Sequence, residues 1–322
     1  MQRNIHKCSR FFAEEWTGFS GTGGKFAGAT VRTASEFWEE QDGKNIRVQN
    51  MDETQLLNTG SFSLLAESRR SRLFRISDTV VYKQFLPGEL SDMYRKNLLC
   101  WKSHRDVAGM PEVVAPVSLV WKEGQISGYL MPFCGGVVLE EFLADPQLPY
   151  RTKLQAMLSI ADFLSRLPDD AAVGDLHEEN IIVSADSSRG CVSIRIVDCE
   201  SFTFADGPQL NCPIKPLLRQ PEMRPLKKYY DACGKLYISK QTDILCYFRM
   251  LVRWLSERTW EPAFAGRAEW FDHIAGLSLA GFPPACISQL YRLWGEEKNE
   301  LCPQALRELI RWSPASVHRT TE

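Results

Sequence analysis

Asp175, Asn180 and Asp198 are the side chains of this sequence best suited to metal-assisted chemistry. Asp175 and Asn180 flank Leu176-His177-Glu178-Glu179. Asp198 follows after Ile181-Ile182-Val183, a polar run Asp186-Ser187-Ser188-Arg189-Gly190, and Val192 to Val197. The apolar runs predict two strands and the polar run a turn between them. A hairpin brings its ends together, so the carboxylate and amide before it are expected to meet the carboxylate after it. Magnesium takes hard oxygen ligands, one or two carboxylates beside phosphate oxygens and water. Asp198 and Asn180 suit that role, which leaves Asp175 to orient or deprotonate an attacking hydroxyl. One Asp-x-x-x-x-Asn spacing arises easily by chance; the hairpin and the second aspartate make the combination informative.

Other segments would have to position these groups. Thr79 to Phe85 reads as a strand, with Lys83 embedded among apolar and aromatic residues. Tyr150 to Leu167 carries Leu154, Met157, Leu158, Ala161 and Leu164 at helical spacing. Gln241-Thr242-Asp243 opens a helix apolar on most faces (Ile244, Leu245, Cys246, Phe248, Leu251, Val252, Trp254, Leu255), which predicts a buried helix. Thr242 or Asp243 can cap its first turn. The stripe of the first helix is expected to pack on the second.

The Asp-x-x-x-x-Asn loop before a hairpin ending in Asp resembles the catalytic and metal-binding loops of the protein kinase-like superfamily. The resemblance covers roughly residues 55 to 310, with the hairpin specific and the two ends loose. It implies a two-lobed α+β fold with a small antiparallel-sheet N-lobe at 51–132, a mostly helical C-lobe at 133–322, and an extension at 1–50. Mg2+ and ATP would bind between the lobes. Asp175 becomes the catalytic aspartate, Asn180 and Asp198 the metal ligands, and Lys83 the lysine that holds the α- and β-phosphates. Gly128 to Gly136 resembles the last N-lobe strand and hinge, with Met131 in the gatekeeper place and the backbone of Pro132, Phe133 and Cys134 facing the adenine; an ordinary strand-turn junction is the other reading. Arg219-Gln220-Pro221-Glu222 resembles the close of an activation segment, and Asp243 matches the aspartate that braces the catalytic loop.

The chain also departs from that pattern. Only Gly60 stands where the phosphate-covering loop should be glycine-rich; either Ser68 to Ser71 substitute, or they form a solvated basic turn. For the acid that pairs with Lys83, Glu89 is the expectation, with Asp92 the one acid inside the helical stretch from Leu90 to Ser103. Gly174 replaces the arginine that reads an activation-segment phosphate, so Ser201 and Thr203 are not expected to be an obligatory switch. His177 replaces a lysine on the γ-phosphate side, and Gly-Asp-Leu-His is closer to aminoglycoside and choline phosphotransferases. Cys199-Glu200 replaces Phe-Gly, and Val-Asp-Cys-Glu-Ser-Phe is similar to the Asp-Cys-Asp-Ser-Phe of some bacterial kinase-like proteins.

Length and composition agree with two lobes. The 322 residues carry a net charge of −2, which gives no support for nonspecific nucleic-acid binding. No run of apolar residues is long enough to span a membrane, and the N-terminus lacks a secretory core. The ten cysteines are scattered without Cys-x-x-Cys and the five histidines are unclustered, which predicts a reducing, cytoplasmic setting without zinc. Gly23-Gly24-Lys25-Phe26 lacks the flanks of a phosphate-binding loop, and 18–28 reads as a flexible segment; Thr33 to Gln41 reads as a short helix, and two more are expected around Ile287 to Trp294 and Pro303 to Trp312. The expectation is an ATP- and Mg-dependent protein serine/threonine kinase. A small-molecule phosphotransferase and a pseudokinase binding module are the alternatives, and delivery as a bacterial effector stays open.

Overall fold

In the computed structural model, the described residues are 49–57, 62–186, 191–208 and 238–255, with single positions 284 and 288. The Gly60, 18–28, Thr33–Gln41, Pro221-Glu222 and C-terminal helix expectations lie outside them. In chain order the elements begin with β1 (Gln49–Asp52), α1 (Glu53–Leu57), β2 (Ser63–Glu67), β3 (Ser71–Arg75) and β4 (Val80–Phe85). They continue with α2 (Asp92–Cys100), α3 (Arg105–Ala108), β5 (Ser118–Lys122), β6 (Gln125–Pro132) and β7 (Val137–Val138). Then come α4 (Leu139–Ala144), α5 (Tyr150–Arg166), β8 (Ala171–Ala172), a 3-10 turn at Glu178–Asn180, and the strands β9 (Ile181–Asp186) and β10 (Cys191–Ile196). A second 3-10 turn at Cys199–Ser201, β11 (Thr203–Phe204) and α6 (Lys240–Leu255) complete them. The architecture is mixed α+β, a multi-stranded sheet with few helices.

Two units divide the described residues. The first comprises those of Met1–Val138 with Arg195–Glu200, the second those of Leu139–Ile194 with Ser201–Glu322. The first is built on a six-stranded sheet in the order β1-β5-β6-β4-β3-β2. Five strands are antiparallel, as expected, but β1 runs parallel to β5, with Gln49 opposite Ser118 and Asp52 opposite Trp121. That parallel edge departs from the antiparallel expectation. Asp52 stops the strand by turning its carboxylate onto the Thr54 and Gln55 amides, which starts α1. Leu56, Tyr82, Val120 and Leu130 form the core of the sheet's packed face, with Met51, Phe62, Phe74, Ile76, Val80 and Val117 against them. The Tyr82 hydroxyl is satisfied there by the Glu53 carboxylate at 2.8 Å.

The second unit buries part of the faces that helical periodicity picked out: Met157, Ala161, Leu164, Ile244 and Leu251 are buried, whereas Leu154, Leu158, Cys246 and Trp254 are half-buried. Helix α5 turns Ala156, Met157, Ile160, Ala161, Phe163 and Leu164 inward. Helix α6 buries Ile244, Tyr247, Met250 and Leu251. The two pack together: the Tyr247 hydroxyl donates to the Met157 carbonyl, and Tyr150 stacks on Trp254 with centroids 5.1 Å apart. Lys240, at the start of α6, donates to the Leu167 carbonyl just past α5 and pairs with Asp169 at 2.8 Å. Strands β9 and β10 are hydrogen-bonded neighbours in the expected hairpin, and β8 pairs antiparallel with β11. No helix among the described residues is long and apolar enough to cross a membrane.

Candidate functional site

Lys83 points inward from β4 and is 4% exposed. A buried ammonium is costly unless paired and hydrogen-bonded. Here Nζ lies 2.7 Å from Asp198 Oδ1 and 2.6 Å from Glu200 Oε1. Burial works against the Lys83 charge, but the two carboxylates outweigh it and hold its pKa above the ordinary lysine value. Glu200 also accepts from the Tyr129 hydroxyl at 2.6 Å. Burial pushes the Glu200 carboxyl up, with Lys83 opposing and Asp198 reinforcing the shift.

The segment carrying Asp198 is anchored within the first unit on either side of it, at Ile196 and Cys199. The Ile196 amide donates to the Glu112 carbonyl at 2.6 Å, and the Ile196 carbonyl accepts from Val114 at 2.9 Å. The Cys199 carbonyl accepts from Trp101 Nε1 at 3.0 Å, in a buried contact. Between these anchors Asp198 sits at φ 63°, a left-handed conformation uncommon outside glycine and tolerated by Asp. Such local strain is kept where surrounding contacts over-determine it.

Glu89 is not the acid of Lys83, contrary to expectation. Its amide closes a turn onto the Leu86 carbonyl beside Gly88, whose φ is +80°, while Asp92 pairs with Arg95 at 2.8 Å on the exposed side of α2. Met131 is buried in β6 opposite Val81. The Phe133 amide donates to the Thr79 carbonyl at 2.8 Å, so that N–H is already used, and Arg75 stacks over the Phe133 ring at 4.9 Å. The Cys134 thiol lies 3.8 Å from the Pro132 carbonyl, and burial raises its pKa. Ser68 closes the β2–β3 turn: its Oγ accepts from the Arg70 and Ser71 amides at 3.2 and 3.0 Å, and its own amide donates to the Ser71 carbonyl at 2.8 Å. A serine side chain thus shapes this turn.

Asp175, His177 and Asn180 lie together in the second unit. Asn180 is buried, and its Nδ2 donates to the Asp175 carbonyl at 3.0 Å, which turns Oδ1 the other way as an acceptor. His177 Nε2 lies 3.7 Å from Asp175 Oδ2. Burial opposes the imidazolium, but Asp175, then Glu179 and Glu178, outweigh it, so the His177 pKa is raised.

The backbone before Asp175 is held from three sides. Asp243 Oδ2 and Oδ1 accept from the Val173 and Gly174 amides at 2.6 and 3.0 Å, and Ser201 Oγ donates to the Val173 carbonyl at 2.8 Å. Asp243 is therefore not the helix cap. Ser239 takes that place, its carbonyl accepting the Thr242 and Asp243 amides while Thr242 Oγ1 accepts the Ser239 amide. Burial pushes the Asp243 carboxyl up to about 7, against the pull of its two N–H donors. Gly174 has φ +84°, and a Cβ there would overlap the Ser201 carbonyl oxygen. Backbone conformation and this close approach call for glycine at position 174.

Glu200 and its partner Tyr129 are the residues that sequence reasoning missed. The available signal was the second carboxylate in the otherwise apolar run Val-Asp-Cys-Glu-Ser-Phe, together with a lysine buried in a strand that requires acidic partners. Among the described residues no group of three or more His, Cys, Asp or Glu is arranged to hold a metal ion. Asp198 and Asn180 each carry a hard oxygen, a carboxylate and an amide, of the kind that Mg2+ accepts. No protein-family model matches the chain, and no curated protein matches it.

Proposed function

We propose that this chain is an ATP- and Mg-dependent phosphotransferase of the protein kinase-like superfamily, acting on a protein serine or threonine hydroxyl. The observation that carries the reading is the 2.7 Å pairing of Lys83, from a central strand, with Asp198, 115 residues later in a left-handed conformation. An ammonium beside a carboxylate of that kind suits the grip on nucleotide phosphates and their cation. The succession β2-β3-β4-α2-α3-β5-β6, with the lysine on the third of these strands and α2 following it, supports the two-lobed kinase-like reading. The bracing of Val173 and Gly174 by Asp243 supports it from the second unit.

In this reading Lys83 binds the phosphates, and Asp198 and Asn180 hold Mg2+. Bound with the nucleotide, Mg2+ would neutralise charge on the transferring phosphoryl group. Asp175 accepts the proton of the attacking hydroxyl, held in place by the braced backbone before it and by the Asn180 amide on its carbonyl. Positioning and charge stabilisation then supply most of the rate. His177 beside Asp175 favours a second reading, transfer to a small-molecule hydroxyl.

The test is purified protein with Mg2+ and γ-labelled ATP in a cell lysate, run beside Asp175→Ala and Asp198→Ala. The expected outcome is label on proteins that both substitutions abolish, by a factor on the order of 100 or more. Label confined to small molecules would select the second reading. Labelling unaffected by either substitution would refute the assignment of the site.

A further inference from the structure

Resting on the nucleotide reading, we propose that Glu200 is the positioning residue for Lys83, replacing the helix-borne acid of related sites. The acid of the ion pair therefore travels on the same short segment as the metal ligand Asp198, rather than on α2.

Three observations converge. Glu200 is oriented at both carboxylate oxygens: Oε1 meets Lys83 Nζ at 2.6 Å, and Oε2 accepts the Tyr129 hydroxyl at 2.6 Å. Tyr129 is itself fully buried in β6, opposite Lys83 in the register of β4. Two neighbouring strands thus set the lysine and the hydroxyl that together fix one carboxylate. Its conformational freedom is spent in the fold before any ligand arrives, which is the condition for a precise site.

Helix α2, by contrast, offers no acid on the relevant face. Trp101, at its C-terminal cap, donates to the Cys199 carbonyl and so marks the face turned toward that segment. One turn earlier, on the same face by the four-residue spacing, stands Asn97. Its amide is fully buried, and neither its Nδ2 nor its Oδ1 has a hydrogen-bond partner among the described residues. Asp92, nine residues before Trp101, falls on the opposite face and pairs with Arg95 in solvent. A neutral amide occupies the side where an acid would have to be.

The consequence concerns regulation. Where the acid sits on a mobile helix, moving that helix makes or breaks the lysine pair. Here the acid is carried by residues 198–200, so α2 bears on Lys83 through the Trp101 hydrogen bond to the Cys199 carbonyl and not through an acid of its own. What orders residues 196–200, including the Trp101 hydrogen bond to Cys199, orders Lys83 at the same time.

The experiment measures equilibrium affinity for two probes, an Mg-complexed nonhydrolysable ATP analogue and adenosine, with melting temperature as the check on folding. Variants are Lys83→Met, Glu200→Gln, Glu200→Asp, Tyr129→Phe and, as control, Glu89→Gln. Glu200→Gln is expected to weaken the ATP analogue at least about tenfold, like Lys83→Met, with adenosine affinity unchanged. Glu200→Asp should recover part of the loss, and Tyr129→Phe should show a smaller one. Glu89→Gln should match the wild type for both probes. Analogue affinity that survives Glu200→Gln but collapses with Lys83→Met would overturn the role while leaving the nucleotide reading intact. Equal weakening of adenosine would reduce Glu200 to general structural support and overturn the role as well. A wild-type chain that binds neither probe would overturn the nucleotide reading, and this role with it.

Discussion

Asp243 sets two physical effects against each other, and its titration decides which prevails. Two backbone N–H groups, at 2.6 and 3.0 Å, favour the carboxylate, while complete burial favours the neutral acid. Burial wins, lifting the pKa from 3.8 to about 7. Between those values the native chain keeps a proton that the unfolded chain has lost. Raising the pH through this window therefore lowers stability: the contribution is fully present below 3.8 and gone above about 7. At 1.36 kcal/mol per unit, a shift of about three units amounts to on the order of 4 kcal/mol. Asp243→Asn removes the ionisation. Its single amide oxygen leaves one backbone N–H facing another donor, a cost of about 1–3 kcal/mol at low pH. Urea unfolding of both proteins, followed by tryptophan fluorescence from about pH 4 to about pH 7.5, isolates the residue, because every other titrating group cancels in the difference. Wild-type stability minus variant stability should start positive and fall by roughly 4 kcal/mol across the range. Parallel curves would show that the two N–H bonds offset burial completely, and the reasoning would fail.

Two further outcomes follow from the same loop. Gly174→Ala should destabilise by about 3 kcal/mol, combining the left-handed penalty of an L-residue with overlap against the Ser201 carbonyl; an unchanged urea midpoint would contradict the geometry. The His177 imidazole should titrate above the ordinary 6.5 and return toward it in Asp175→Asn, as read from its ring-proton chemical shift. The stability given by that pair is full below the unfolded pKa and lost as pH rises through the raised native one, so an Asp175→Asn variant whose histidine titration does not move would remove Asp175 as the cause.

Periodicity carried the fold where packing follows local pattern. Helix α5 covers Tyr150–Arg166 because its apolar residues recur on one stripe, and β4 spans Val80–Phe85 because β-branched and aromatic residues cluster there. The parallel strand β1 was not legible, because four residues with a polar end carry no pattern that names a partner strand. Asp243 was readable as important but ambiguous in role; a carboxylate in the first helical turn can cap its own helix or reach elsewhere, and only the tertiary fold chooses. The Lys83 partner was misread for a related reason. Glu89 was the expected acid although, six residues away, it lies closer than the usual spacing; its amide closes the turn onto Leu86, and the carboxylate that reaches Lys83 is Glu200. Long-range pairing is not written in local spacing.

Asp198 shows why these distant contacts matter to chemistry rather than to stability alone. Its left-handed backbone costs on the order of 1–3 kcal/mol. That cost is met on both sides: Ile196 exchanges two backbone hydrogen bonds with Glu112 and Val114, and the Cys199 carbonyl takes the Trp101 indole. At about 1 kcal/mol each, three such bonds are enough to hold the conformation. The Lys83 pairing adds to them but is not required to close the balance. Removing Lys83 should therefore leave Asp198 where it is, whereas Trp101→Phe should loosen it while leaving every charged group in place. Under the proposed reading, these backbone contacts would keep Asp198 in position while it exchanges its lysine partner for a cation.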